Sequence, residues 1–218
     1  MRQLLLDLLP ENPPRFDDFI AGENSEALTG LAAWLSPESR ETSLFLWGES
    51  GSGKTHLLRA SGAYYHDAAA DSAPVFPDNA ALFYAVDNVG ALDEAGQIAL
   101  FNLFNFLGAS GGRLLAASDR PPRELPFRED ARTRLASGLI YRLTPLGDEE
   151  KREALVSWAL GRGLRLSGEA VDYLLARAPR DMGTLSFLLT ALERRSLERK
   201  RTITLALLRE ILYAPTLE

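Results

Sequence analysis

Cysteine is absent from the 218 residues, and histidine occurs only twice, at His56 and His66. Without cysteine there is no disulfide framework, no thiolate metal site and no cysteine nucleophile. Two histidines do not build a histidine-based zinc site. Apolar runs are short: none approaches the roughly 18 residues of a membrane span. The three leucines that begin at Leu4 meet Asp7 at once, which argues against a signal peptide. Positive charge is scarce in the first half, where residues 1–110 hold 5 Lys/Arg against 15 Asp/Glu, while residues 111–218 hold 19 against 15. The net charge of −6 argues against whole-surface DNA binding but not against a local basic patch. The expectation is a cytoplasmic protein with no membrane contact.

What is present is ordinary globular material, 46% hydrophobic and 25% charged, enough to bury a full core as one large domain or one with an appendage. Residues 1–14 read as a flexible tail, because Pro10, Pro13 and Pro14 remove amide donors and push their neighbours out of helical geometry. Helical spacing of Leu28, Leu31, Trp34 and Leu35 predicts a helix over 25–35. Buried parallel strands are expected where short continuous apolar runs occur, at 43–47, 81–86, 113–117 and 138–143. A helix over 54–65, a loop over 67–80 and a helix through Ile98, Leu103 and Leu107 to Gly108 separate them. Alternating strands and helices imply a parallel sheet with helices on both faces. Past about Gly147 only helices are expected, at 148–162, 167–178, 181–199 and 204–213. The expected organisation is therefore a tail (1–14), an α/β domain (15–147) and a small all-α lid (148–218).

The chemistry concentrates after the first strand. Residues 48–55, GESGSGKT, satisfy G-x-x-x-x-G-K-[ST] between a strand and a helix, the context that motif requires. Gly48, Gly51 and Gly53 let the backbone wind around phosphates, with Ser50 and Ser52 between them. Lys54 would reach the β/γ-phosphates and Thr55 would ligate magnesium. Asp87 closes the second apolar run, where P-loop proteins place the other magnesium-side carboxylate. The residue after it is Asn88, an amide that cannot act as a base, so autonomous hydrolysis is not expected. Ser118 and Asp119 end the third strand, on the sheet edge where ligands bind; a simple proline turn explains SDRPP at 118–122 equally well. Arg132 and Arg134 precede the fourth strand, either as solvated surface or as a finger for a neighbour's phosphates. Arg194, Arg195, Arg199, Lys200 and Arg201 form either a solvated outer face or a docking patch.

Taken together, these residues resemble the DnaA-related AAA+ family from about residue 15 onward. The segment 16–24, FDDFIAGEN, is similar to the family's adenine-side F-x-x-F-x-x-G-x-N, which implies nucleotide contacts from Phe16 and Phe19, with His56 nearby. GESGSGKT, the strand ending at Asp87 and SDRPP match Walker A, Walker B and sensor 1, the last bringing Asp119 to the nucleotide. Residues 132–139, RTRLASGL, resemble box VII, with Arg134 at the arginine-finger position, acting in trans. DMGTL at 181–185 resembles the sensor 2 helix, except that Gly183 stands where the family has arginine; Arg180 is the candidate replacement. Between His56 and Asp87 the chain is shorter than the family pattern, so the second strand is expected to be truncated or reduced to the neighbourhood of 73–77.

Two end features resemble the family's short regulatory branch. The chain stops at Glu218 without a helix-turn-helix domain, and Gln3, Leu4, Leu6 and Leu8 are similar to the Q-L-x-L-x-[LF] peptide that docks on the DNA polymerase III β sliding clamp. The resemblance implies ADP or ATP with Mg2+, the DnaA initiator and the clamp as partners, DNA reached only through the clamp, and leaves a homodimer open. The implied function is negative regulation of replication initiation, with weak or no ATPase of its own. Two alternatives remain at this level: an autonomous P-loop ATPase resembling a helicase loader, and a truncated initiator that binds DNA directly.

Overall fold

The computed structural model describes residues 14–74, 76, 82–161, 164, 166–178, 182–199 and 208. Two compact units divide the chain, one ending at Pro145 and the other beginning at Leu146.

The first unit is a five-stranded parallel sheet in the order β2-β3-β4-β1-β5. Its strands are β1 (Ser43–Trp47), β2 (Tyr64–Asp67), β3 (Phe83–Asp87), β4 (Arg113–Ser118) and β5 (Leu139–Arg142). Its helices are α1 (Ser25–Leu35), α2 (Lys54–Ala60), α3 (Glu94–Ser110) and α4 (Glu129–Leu135). The continuous apolar runs follow from burial on both faces, because successive side chains of a strand point to opposite sides. Phe45, Tyr84, Val86, Leu114 and Ala116 form one core with Leu100, Leu103 and Leu107 of α3 and Ala131 and Leu135 of α4. Their chain neighbours Leu44, Leu46, Ala85, Leu115 and Ala117 form the other with Leu31 and Trp34 of α1 and Leu57 and Leu58 of α2. In α3 the Asp93 side chain caps the start, accepting from the Gly96 amide at 2.8 Å. Gly111, at φ +71°, closes the end in the left-handed conformation that suits glycine.

Three elements differ from the sequence expectation. The helix after the loop stops at Ala60 rather than near residue 65, and the second strand is Tyr64–Asp67, not the neighbourhood of 73–77. Gly62, at φ +75°, turns the chain, and β2 pairs in parallel with β3 from Tyr64↔Tyr84 to Asp67↔Asp87. β2 lies at one edge of the sheet with no fully buried residue, and it carries aromatic and polar side chains in place of the apolar runs of the central strands. The strand expected over 81–86 begins at Phe83, with Leu82 an exposed bend before it.

The second unit carries α5 (Asp148–Gly161), α6 (Gly168–Arg177) and α7 (Met182–Arg199) around its own core of Leu155, Val171, Leu174, Leu185, Leu189 and Leu192. Leu208 is buried in the same core; the rest of the helix expected over 204–213 lies outside the described residues. Ser167 caps α6, and an Arg152–Asp172 ion pair ties α5 to it. No helix among the described residues is long and apolar enough to cross a membrane.

Candidate nucleotide site

The loop between β1 and α2 takes its shape from three glycines at positive φ: Gly48 (+155°), Gly51 (+83°) and Gly53 (+92°). The space is as restrictive as the backbone. A Cβ on Gly48 would meet the Leu143 carbonyl oxygen at 2.1 Å, and one on Gly53 would meet the Phe19 ring at 2.4 Å. The Gly48 amide donates to the Ser118 carbonyl at 3.3 Å, which fixes the start of the loop to the end of β4. Among the described residues none accepts a hydrogen bond from the amides of Gly51, Gly53, Lys54 or Thr55. A glycine loop that leaves these N–H groups without a protein acceptor at the start of a helix is suited to cradle an anion.

Lys54 sits in the middle of this cradle, only 8% exposed. Its ammonium donates to the carbonyls of Gly48 (2.7 Å) and Glu49 (2.9 Å) and to Ser52 Oγ (3.3 Å), all neutral acceptors. Burial holds its pKa below the ordinary lysine value; the negative charges of Asp87 and Asp119 oppose that shift. A buried ammonium satisfied by dipoles alone is suited to pairing with a phosphate.

Asp87, at the end of β3, is fully buried. Its Oδ2 accepts from Thr55 Oγ1 at 2.5 Å and from the Tyr65 hydroxyl at 3.1 Å, and its Oδ1 accepts from the Asn88 amide at 2.9 Å. The phenol of Tyr65 is pushed up to about 12, first by its own burial and then by the Asp87 charge, while Arg59, stacked 4.8 Å over the ring, opposes the shift. Asn88 is the single non-glycine residue at positive φ (52°) among those described, and its Nδ2 donates to Asp67 Oδ1 at 2.8 Å. Ser118, buried at the end of β4, donates from Oγ to Asp119 Oδ1 at 3.1 Å.

On the other flank, Phe16 opens a short turn (Phe16–Asp18) and is 37% exposed, while Phe19 packs on Gly53 and His56, with ring centroids 5.6 Å apart in the aromatic pair. His56 Nε2 donates to the Arg15 carbonyl at 2.8 Å, pinning this strap to α2. The structure therefore brings Phe19, Ser52, Gly53, Lys54, Thr55, His56, Asp87 and Asp119 into one neighbourhood, with Gly48, Ser50 and Gly51 as its wall.

Arg134 lies elsewhere, exposed at the end of α4, its guanidinium 5.6 Å from the Phe104 ring and 6.0 Å from Phe101. Among the described residues no carboxylate pairs with it. Gln3, Leu4, Leu6, Leu8 and Arg180 lie outside the described residues, and Gly183 is the second residue of α7.

These residues fit a nucleotide with its magnesium. The glycine-walled cradle and Lys54 suit phosphates. Thr55 and Asp87 would hold the cation, which typically takes only one or two protein oxygens and completes its shell with phosphates and water.

Comparison with known proteins agrees with this geometry. Residues 148–212 match the family described as Hda, lid domain, and residues 11–77 match the bacterial DnaA ATPase domain. The chain is an Hda/DnaA-related AAA+ protein. The AAA+ fold is also that of solved structures under 25% identical. Domain III of the Thermotoga maritima initiation protein DnaA superposes with a TM-score of 0.69 at 21% identity, covering 94% of this chain and 98% of that one. DnaA from Aquifex aeolicus, solved with AMPPCP bound, gives 0.67 at 23% identity over 89% of this chain and 71% of that one. The Thermotoga maritima RuvB branch-migration motor gives 0.61 at 16%, over 94% and 73%.

Two residues beside this AAA+ site had no clear mark in the sequence, and for a third only its distant partner was hidden. Tyr65 and Asp67 belong to the unrecognised β2. Asn24, legible as part of the FDDFIAGEN pattern, makes two hydrogen bonds with the backbone of Thr144 (Nδ2 to O, 2.9 Å; N to Oδ1, 2.7 Å), a partner 120 residues away.

Proposed function

We propose that this chain is a negative regulator of replication initiation. It binds ADP or ATP with Mg2+ through the loop 48–55, docks on the DNA polymerase III β sliding clamp through Gln3, Leu4, Leu6 and Leu8, and presents Arg134 to ATP held by the DnaA initiator. The clamp supplies the route to DNA, and tethering there raises the local concentration, so a weak peptide contact suffices. Arginine is the residue suited to the charge that develops on a transferring phosphoryl group. The observation that carries the reading is Arg134 itself: an exposed guanidinium, unpaired with any carboxylate among the described residues and rested on two aromatic faces, in a chain whose lid matches the Hda family. Its own site contributes binding rather than turnover, because Asn88 offers an amide where a base would be needed.

The test is hydrolysis of ATP prebound to DnaA, in the presence of clamp loaded on DNA. Wild-type protein is expected to accelerate it, and Arg134→Ala to lose about 10³-fold or more of that acceleration, the scale of an arginine finger, with its melting temperature unchanged. Full stimulation by the variant removes the finger from this residue. ATP turnover by the purified chain alone would instead favour an autonomous ATPase.

A further inference from the structure

The end of β2 faces the end of β3 in a way that the nucleotide chemistry above leaves unexplained. Asp67 and Asp87 stand at paired register positions, yet the two carboxylates have separate partners. Asp87 takes Thr55, Tyr65 and the Asn88 amide. Asp67 Oδ1 takes the Ala69 amide at 3.0 Å and the Asn88 side chain at 2.8 Å. Asn88 is thus the residue that separates two carboxylates, donating its amide N–H to one and its side-chain N–H to the other. Its left-handed backbone is one that asparagine and aspartate both tolerate. Backbone shape alone therefore does not choose between them. Charge does: a carboxylate at 88 would face Asp67 with no donor to share.

We propose that Asp67 is a positioning residue that holds Asn88 and bars a carboxylate from the position after Asp87, so that β2 keeps the site in a form that retains nucleotide. This rests on the nucleotide reading above for its consequence, but not for its geometry. The donor–acceptor pair can be turned around. In the wild type the Ala69 amide and the Asn88 side chain share Asp67 Oδ1, so an Asn at 67 turned to donate its NH2 to an aspartate at 88 gives up the Ala69 bond but keeps the contact between the two side chains and the total charge of the wild type.

Four proteins test this: wild type, Asp67→Asn, Asn88→Asp and the double exchange, with Asn88→Ala as a neutral control. Melting temperature is read without nucleotide, and the dissociation constant is read for a fluorescent ADP analogue with Mg2+. Asn88→Asp is expected to melt several degrees lower and to bind about threefold to tenfold more weakly, within the usual range for coupled neighbours. Asp67→Asn, which keeps an oxygen for Asn88 but loses the charge, melts slightly lower than wild type, Asn88→Ala falls between wild type and Asn88→Asp, and the double exchange recovers affinity to within about twofold and part of the lost melting temperature. Wild-type behaviour of Asn88→Asp, or a double exchange no better than it, overturns the inference. Should Asn88→Asp fail to give folded protein, recovery of folded protein in the double exchange supports the inference and its failure there overturns it. If wild type binds no nucleotide, the nucleotide reading falls while the melting-temperature cycle still decides the role of Asp67.

Discussion

At the scale of single residues, the site is a small set of buried charges held apart by neutral donors. Lys54 is the clearest case, an ammonium 8% exposed and satisfied by two carbonyls and a hydroxyl. Replacing it by alanine should weaken adenine-nucleotide binding by about 100-fold, the loss of charge-assisted contacts worth about 2–3 kcal/mol. The variant should also fail to bind DnaA in pull-down if nucleotide sets the competent conformation. Tyr65 carries a pH signature. Its folded-state pKa, pushed up to about 12, lies above the ordinary 10.0. Stability from the neutral phenol is therefore whole below about pH 10 and is lost as pH rises through about 12, because the unfolded chain releases that proton first. Tyr65→Phe should cost about 1 kcal/mol at neutral pH through the lost hydrogen bond to Asp87. It should also show a shallower fall in melting temperature above pH 10 than wild type, which alkaline thermal scans would reveal. Lys54 and Asp87 were legible in the sequence because glycine spacing and strand ends announce them. Tyr65 was not, since its hydroxyl meets Asp87 across 22 residues and nothing local marks that contact.

At the scale of elements, legibility followed apolar content. The three central strands β1, β3 and β4 declared themselves as apolar runs because both faces of the sheet are covered there, and β5, an edge strand with no fully buried residue, still shows an apolar stretch at Leu139 and Ile140. The other edge strand, β2, holds Tyr64, Tyr65, His66 and Asp67, with no aliphatic side chain, and reads as the tail of a helix. Likewise α4 shows only two buried residues, Ala131 and Leu135, so its box VII residues stood out by motif rather than by periodicity. Long-range ties between elements escape periodicity altogether. Asn24, 4% exposed, joins the segment before α1 to Thr144 after β5 with a reciprocal pair of hydrogen bonds. Asn24→Ala leaves the part-buried backbone N–H and C=O of Thr144 without these partners and should destabilise the first unit by about 1–3 kcal/mol. Urea unfolding followed by tryptophan emission would measure this, since Trp34 and Trp47 lie in that unit.

At the scale of the whole molecule, the net charge of −6 is the property that separates a clamp-borne regulator from a truncated initiator. The purified chain should leave duplex DNA unshifted in a gel at low salt and shift it only when clamp is loaded, with Gln3→Ala, Leu6→Ala abolishing that supershift. A salt-dependent shift by the chain alone would favour direct DNA binding. The order of the sheet also governs how the molecule is made. β1 lies between β4 and β5, pairing Ser43 with Leu114 and Leu44 with Leu139, so its neighbours leave the ribosome long after it does. At synthesis rates of about 5–20 residues per second, the strand that carries the phosphate loop waits roughly 4–14 s before its first partner exists. During that interval Leu44, Phe45 and Leu46 are an unpaired apolar edge, and a nascent chain arrested before residue 113 should be held by chaperones and carry no nucleotide.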